Sequence, residues 1–437
     1  MRKSLTFHLS YPIQFKEQLL FWSKRFEYVS ILDSHEVNAK ANSKAEYNTY
    51  EWIAGIDALQ IAQPKQNCFE ALQAAIYQTK DWWFGYLGYD LKNEIEVLQS
   101  DNFDALGFPA MHFFRPRWVF LLEADSLTVH FSSEEFSESE ITNLVNSIQQ
   151  LEVSKEQAIN VSGIKSRISK SQYLQSVRDL KAHIRRGDIY EVNFCQEYYA
   201  EKTSIQPRQT YRKLMQVSPT PYSCYYQMGE HFLLSASPER FIKKVGRKII
   251  SQPIKGTAKR GVDEQEDTLI KENLFADPKE RAENIMIVDL VRNDLSKTAA
   301  KGSVMVEELC GIYTFPQVHQ MISTVVSELK EGVQGIEAIR ACFPMGSMTG
   351  APKVRAMKLI EKYESTKRGL YSGAVGYFTP DGNFDFNVVI RSILYNQKNQ
   401  YLSFMVGGAI TMQSDPEKEY EECLLKAKAI MKVLKDH

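Results

Sequence analysis

The spacing of apolar positions changes repeatedly along the chain, and each change marks an element. Near the start, "RFEYVSIL" and "RPRWVFLL" read as strands, whereas "FEALQAAIYQT" reads as a helix. Further on, Leu174, Val177, Leu180 and Ile184 recur at helical spacing, the pattern stops at Gly187, and an apolar-rich strand follows. "HFLLSASPERFIKKVGRKIISQPIKGT" predicts two strands joined at Gly246-Arg247, with "SPER" at a turn and "PIKGT" at the far end. Glu239 and Lys255 therefore fall in one antiparallel region.

Two later helices open on the same device. Asp277 and Asp415 stand in the N-cap position, each followed by a proline at the first helical residue. Between them lie the glycine-rich "GSMTGAPKVRAMKLIEKYE", the strand "YSGAVGYFT", a "PDGN" turn, and the strands "FNVVIRSIL" and "YLSFMVGGAIT". The polar stretch from about residue 131 to 163 holds one weak helix and few large core residues, which divides the chain into a 1–150 segment and a 164–437 segment.

Composition narrows the class. At 437 residues, with 43% hydrophobic and 24% charged side chains, the chain has ample material for a buried core. A formal net charge of -1 supplies no positive field for nucleic acid or an anionic membrane, so neither is expected as a partner. The six cysteines are scattered without CxxC or zinc spacing, as packing thiols of a reducing compartment would be. No secretory leader pattern opens the chain, and no apolar run approaches the ~18 residues of a membrane span. A cytoplasmic location is the expectation.

Candidate chemistry gathers in the second segment. Glu280 with Glu283, and Glu419 with Glu422, form ExxE pairs whose spacing puts both carboxylates on one helix face. Such hard oxygen donors suit Mg2+, yet solvated helix faces carry the same pattern, and Glu280 is also placed to complete a capping box with Asp277. Thr349 and Lys353 in "GSMTGAPK" could meet an anion at a helix start. Arg391, in the apolar run "VVIRSIL", needs an anionic partner, either a carboxylate of the chain or a substrate. Lys255 stands in "PIKGT" between backbone-restricting Pro253 and permissive Gly256.

In this order, "RRGDIYEVNFCQ", "SPERF", "PIKGT", "ERAENIMIVDLVRND", "GSMTGAPKVRAMKLIE", "YSGAVGYF", "VVIRS" and "EYEECLLKAKA" resemble the chorismate-utilising enzymes, the family of anthranilate and aminodeoxychorismate synthase component I and of the isochorismate and salicylate synthases. The resemblance covers residue 164 to the C-terminus, with fewer matching motifs before it. It implies an α+β fold, antiparallel sheets packed face to face as a sandwich with helices outside and the two segments intertwined. It also implies that Glu280, Glu283, Glu419 and Glu422 hold Mg2+. Tyr371, Arg391, Gly407, Gly408, Lys426 and Thr257 are implied as substrate-binding positions for chorismate.

Within that family, members that add water carry a lysine base at the position matched here to Gln196, and Gln320 replaces a histidine of the anthranilate synthases, leaving His319 beside it without an assigned role. The lysine of "PIKGT", where anthranilate synthases read "PIAGT", implies amination of chorismate at C4 through a covalent Lys255 intermediate, with Glu239 as general acid. The mechanism requires a Lys255 pKa lowered by desolvation or a neighbouring cation. With no glutaminase motif present, the resemblance implies ammonia from a glutamine amidotransferase subunit, and a product destined for p-aminobenzoate and folate. Anthranilate synthase component I and a non-catalytic chorismate-binding subunit are the alternatives.

Overall fold

Strand Met111–Glu123 joins the two halves of the sheet system in the computed structural model, which describes residues 2–35, 50–153, 159 and 161–435. Its first residues, Met111–Phe114, pair with strand Trp83–Leu87, and its last, Val119–Glu123, pair with Ser126–Ser132. Strand Trp52–Ala62 runs along its other edge, with a register shift at Ala58/Gln60 where the strand bends. All pairings between named strands are antiparallel.

In one direction the ladder continues from Trp52–Ala62 to Tyr28–Asp33, Tyr222–Met228, His231–Ser237, Ser392–Asn396, Tyr401–Ile410 and finally Glu191–Ala200. In the other it passes from Trp83–Leu87 to Ala374–Phe378, Phe384–Val388, Arg240–Val245, Lys248–Gln252 and Val318–Glu328. Strands from the first 132 residues thus lie inside sheets completed by strands from beyond residue 190. The two sequence segments share both sheets, as the resemblance implied.

Strand alternation builds two cores. Tyr226, Leu233, Leu394 and Met405 from the first sheet meet Val375, Phe386, Val388 and Ile242 from the second. Their sequence neighbours Tyr225, Leu234, Ile393 and Phe404 point the other way, into helices Pro12–Trp22, Glu138–Gln149, Lys170–Arg185, Pro207–Val217 and Pro416–Leu434. A period of two therefore feeds one face to the sandwich interior and the other to a helical layer. Burying each such large side chain is worth about 1.5–3 kcal/mol. All six cysteines are buried free thiols, and no helix among the described residues is long and apolar enough to cross a membrane.

The predicted caps are present: Asp277 accepts the N–H groups of Lys279 and Glu280, and Asp415 accepts that of Lys418. Two expectations change. "SPER" does break the chain, between strands His231–Ser237 and Arg240–Val245, and the hairpin turns at Gly246-Arg247 as expected, but "PIKGT", expected at the far end of a strand, lies mostly within a further one, Ile254–Lys259. The run containing Arg391 is likewise two strands, Phe384–Val388 and Ser392–Asn396, because Arg391 adopts a left-handed φ of 51° between them.

Candidate functional site

Pro253 and Gly256 decide where Lys255 points. Lacking an N–H, Pro253 ends the Lys248–Gln252 ladder, and Ile254–Lys259 resumes pairing on the same edge of Val318–Glu328. The register shifts between Ile254 and Thr257, with Gly256 at φ 98°. A Cβ on Gly256 would lie 3.1 Å from Met321 Cβ and 3.2 Å from Glu280 Oε2, so a larger residue would crowd the Glu280 side chain as well as strain the backbone. From that same helix, Asn284 Nδ2 donates to the Lys255 carbonyl at 3.3 Å.

The Lys255 side chain is only 14% exposed. Its Nζ donates to Glu191 Oε1 at 3.1 Å and lies 3.9 Å from Glu283 Oε2. Burial works to lower its pKa, but the carboxylates of Glu191, Glu283 and Glu239 outweigh it and hold the ammonium above its ordinary value. The lowered lysine pKa anticipated from the sequence is therefore not what the carboxylate-rich surroundings produce.

Glu239 is buried just beyond strand His231–Ser237 and accepts a hydrogen bond from Ser347 Oγ at 2.7 Å. Burial pushes its carboxyl up to about 7, against the lowering effects of Ser347, Lys255, the Ile254 N–H and Arg391. Arg391 sits close enough to feel that carboxylate, yet among the described residues its guanidinium makes no hydrogen bond or ion pair. Desolvation accordingly lowers its pKa. Of the two partners open from sequence, an internal carboxylate pair is not formed.

On the neighbouring edge, the missing side chains of Gly407 and Gly408 admit other groups. A Cβ on Gly407 would collide with Phe194 O at 2.3 Å, and one on Gly408 would lie 3.3 Å from Glu419 Oε2. Lys426 Nζ donates to Gly407 O at 2.9 Å and pairs with Glu422 Oε1 at 2.7 Å. Tyr371 is buried, with its hydroxyl 3.5 Å from Cys195 Sγ. Thr257 is exposed on its strand opposite buried Gln320. His319 is held by Asp267 at 2.9 Å and Thr314 at 3.0 Å.

The four ExxE glutamates lie on helices Pro278–Ser296 and Pro416–Leu434. Glu280 is not a capping-box partner, because the Asp277 N–H goes to Leu274 O instead. Burial raises the carboxyl pKa of Glu280 and Glu419, and takes Glu283 to about 7; the charges of Glu422 and Glu191 add to the rise at Glu280 and Glu283 respectively. Burial also works to raise Glu422, yet Lys426 carries it below its ordinary value. Lys279 and Lys255 lie 3.8 and 3.9 Å from Glu283. No three of the described carboxylates stand close enough together, as placed, to hold a metal ion. By chemistry the set fits a hard divalent cation, which would relieve the mutual repulsion of partly desolvated oxygen donors.

Three predictions are displaced. Gln196 belongs to strand Glu191–Ala200, where it shares with Phe194 and Tyr198 the face toward the helical layer, and both its amide atoms are buried with no partner among the described residues. The residue of that strand which meets Lys255 is Glu191. Lys353 is spent on Asp294 and on Cys342 O at 3.1 Å, and Thr349 Oγ1 on Met345 O at 3.2 Å, so neither is free for an anion. Also unforeseen is the buried Arg368–Glu364 pair: Arg368 donates to Met348 O at 2.6 Å and Asn193 O at 2.9 Å, while Glu364 accepts the Cys195 N–H at 2.9 Å. It ties the Ser347 turn to the strand that begins at Glu191, and only the i,i+4 spacing of the two charges hinted at it.

The site thus sets a largely shielded lysine among carboxylates, beside a glutamate whose pKa burial raises and an arginine without a partner among the described residues. Residues 18–432 match the family model described as chorismate binding enzyme. The chain belongs to this family of chorismate-utilising enzymes. It is 36% identical over 356 residues to anthranilate synthase component 1 of Thermus thermophilus, covering 80% of this chain and 76% of that one. It is also 36% identical over 364 residues to the aminodeoxychorismate synthase of Streptomyces griseus, covering 80% of this chain but only 50% of the relative's length. The crystal structure of anthranilate synthase component I from Streptococcus pneumoniae superposes with a TM-score of 0.70 at 28% identity, covering 80% of each chain.

Proposed function

We propose that the protein aminates chorismate at C4, giving 4-amino-4-deoxychorismate, the activity of an aminodeoxychorismate synthase component I. The observation that carries this reading is the placement of Lys255: largely shielded at 14% exposure, 3.1 Å from Glu191 and held by a proline-glycine frame, rather than solvated on a helix. As a neutral amine, Lys255 attacks C2 while the C4 hydroxyl departs with a proton from Glu239. Ammonia then attacks C4 and expels the lysine. Glu239, with a pKa of about 7, retains a proton for this work near neutrality.

Chorismate carries two carboxylates, and the unpaired Arg391 guanidinium supplies a receptor for one of them. Tyr371, Gly407, Gly408, Lys426 and Thr257 complete the proposed substrate contacts. Glu280, Glu283, Glu419 and Glu422 would hold Mg2+, which when bound supplies positive charge for a substrate carboxylate. The local surplus of carboxylates supports this assignment, since a dianion entering the site unaided would meet like charge. Ammonia is assigned to a separate glutaminase subunit in the cytoplasm, and the product to p-aminobenzoate and folate synthesis.

The test is to incubate the chain with chorismate, Mg2+ and ammonium and to identify the product by chromatography and mass, with Lys255→Ala alongside. An amino product retaining the enolpyruvyl group, lost or strongly reduced in the variant, is expected. Fluorescent anthranilate would assign the chain to the other branch represented among its relatives, and binding of chorismate without turnover to a regulatory role.

A further inference from the structure

We propose that Glu191 is the proton acceptor and aligning partner of Lys255, a catalytic role that rests on the lysine reading above. Glu191 opens strand Glu191–Ala200, is 1% exposed, and directs Oε1 to Lys255 Nζ at 3.1 Å. Its other oxygen, Oε2, is buried and has no partner among the described residues. A carboxylate kept only for structure would be expected to satisfy both oxygens, because an orphaned buried acceptor is costly. Here one oxygen is committed to the amine and the other is left open within a site built around reacting groups.

The backbone around Glu191 is fixed independently of its side chain. Tyr190 N donates to Ala351 O at 2.7 Å and Asn193 N to Thr349 O at 2.8 Å. Gly350, at φ 140°, packs so closely that a Cβ there would lie 2.2 Å from Glu191 O. The carboxylate is therefore presented from a rigid strand end, as a group acting on one particular amine should be.

The proton balance closes on this pair. The Lys255 ammonium gives one proton to the Glu191 carboxylate, and the freed lone pair forms the C2–N bond as the C4–O bond breaks. The departing hydroxyl takes the Glu239 proton and leaves as water, and the lysine nitrogen becomes a secondary ammonium. Ammonia bonds to C4, and the lysine is released as a neutral amine that recovers its proton from Glu191. The new C4 ammonium returns a proton to Glu239. Chorismate and ammonia are converted to the amino product and water, and both glutamates are restored.

The experiment compares wild type, Glu191→Gln and Glu191→Asp for the chorismate-dependent mass increase at Lys255, quenched rapidly without ammonium, together with chorismate affinity and steady-state amination with ammonium. Glutamine keeps an oxygen able to accept from Lys255 but no longer takes its proton. The expected result is unchanged chorismate affinity in Glu191→Gln, with adduct formation and kcat both slower by about 10²–10⁴-fold, and partial recovery in Glu191→Asp. An adduct rate in Glu191→Gln within a fewfold of wild type would overturn the proposal, as would a loss confined to chorismate affinity. If wild type forms no adduct and Lys255→Ala still aminates, the lysine mechanism itself falls and Glu191 with it, an outcome distinct from either.

Discussion

Replacing Glu239 by glutamine is expected to stabilise the protein at high pH while disabling it. The carboxyl is 5% exposed, and burial carries its pKa from 4.5 to about 7. Between those values the folded state binds more protons than the unfolded state, so stability falls as pH rises through this window. At 1.36 kcal/mol per tenfold, the total is about 3 kcal/mol, fully lost above pH 7. Glutamine has no such titration and still offers an oxygen to Ser347 Oγ, which now donates to the carboxylate at 2.7 Å. With about 2.1 cal/mol/K of unfolding entropy per residue, a 437-residue chain changes its Tm by about 1 °C per 0.9 kcal/mol. About 2.5 kcal/mol of the total falls between pH 5 and pH 8, so the Tm of Glu239→Gln relative to wild type should rise by about 3 °C over that range, measured by scanning calorimetry in matched buffers. Its kcat for amination should fall about 10²–10⁴-fold, and that of wild type should decline as pH rises past about 7. A Tm difference that stays flat across this range, or a variant less stable at pH 8, would refute the argument that burial keeps Glu239 protonated.

Two further substitutions separate binding from architecture. Arg391→Met removes a desolvated guanidinium that has no partner among the described residues, so the Tm should hold or rise while chorismate affinity, read by titration calorimetry, weakens about 10- to 100-fold. Arg368→Met instead strands Glu364 in the core and should lower stability by about 3–5 kcal/mol in denaturant unfolding, with much of that loss recovered when Glu364 is also made leucine.

Local chemistry was legible from the sequence where a residue acts on its neighbours in the chain. The Asp-Pro caps at residues 277 and 415 and the helical stripe from Leu174 could be placed because each depends on a spacing of a few residues. The ExxE pairs were also correctly placed on two helices whose charges reach each other. The break at Arg391 escaped because an apolar run signals burial but not φ, and the left-handed turn that splits it carries no glycine.

What remained hidden is the electrostatic sign of the site. Proline, glycine and a motif located Lys255, but its protonation is set by Glu191 and Glu283, which lie 64 and 28 positions away in the chain and at 3.1 and 3.9 Å in space. The match at Gln196 pointed to this strand but not to its face: residues five apart on a strand point in opposite directions, and only the sheet shows that Glu191 is the one turned toward the lysine. The correction alters the chemistry as well as the map. A neighbouring glutamine could at most orient an ammonium, whereas a carboxylate at 3.1 Å both holds the charged lysine in place and is chemically able to discharge it. The raised lysine pKa is thus compatible with a nucleophile, provided that Glu191, the foremost of the three carboxylates that raise it, takes the proton.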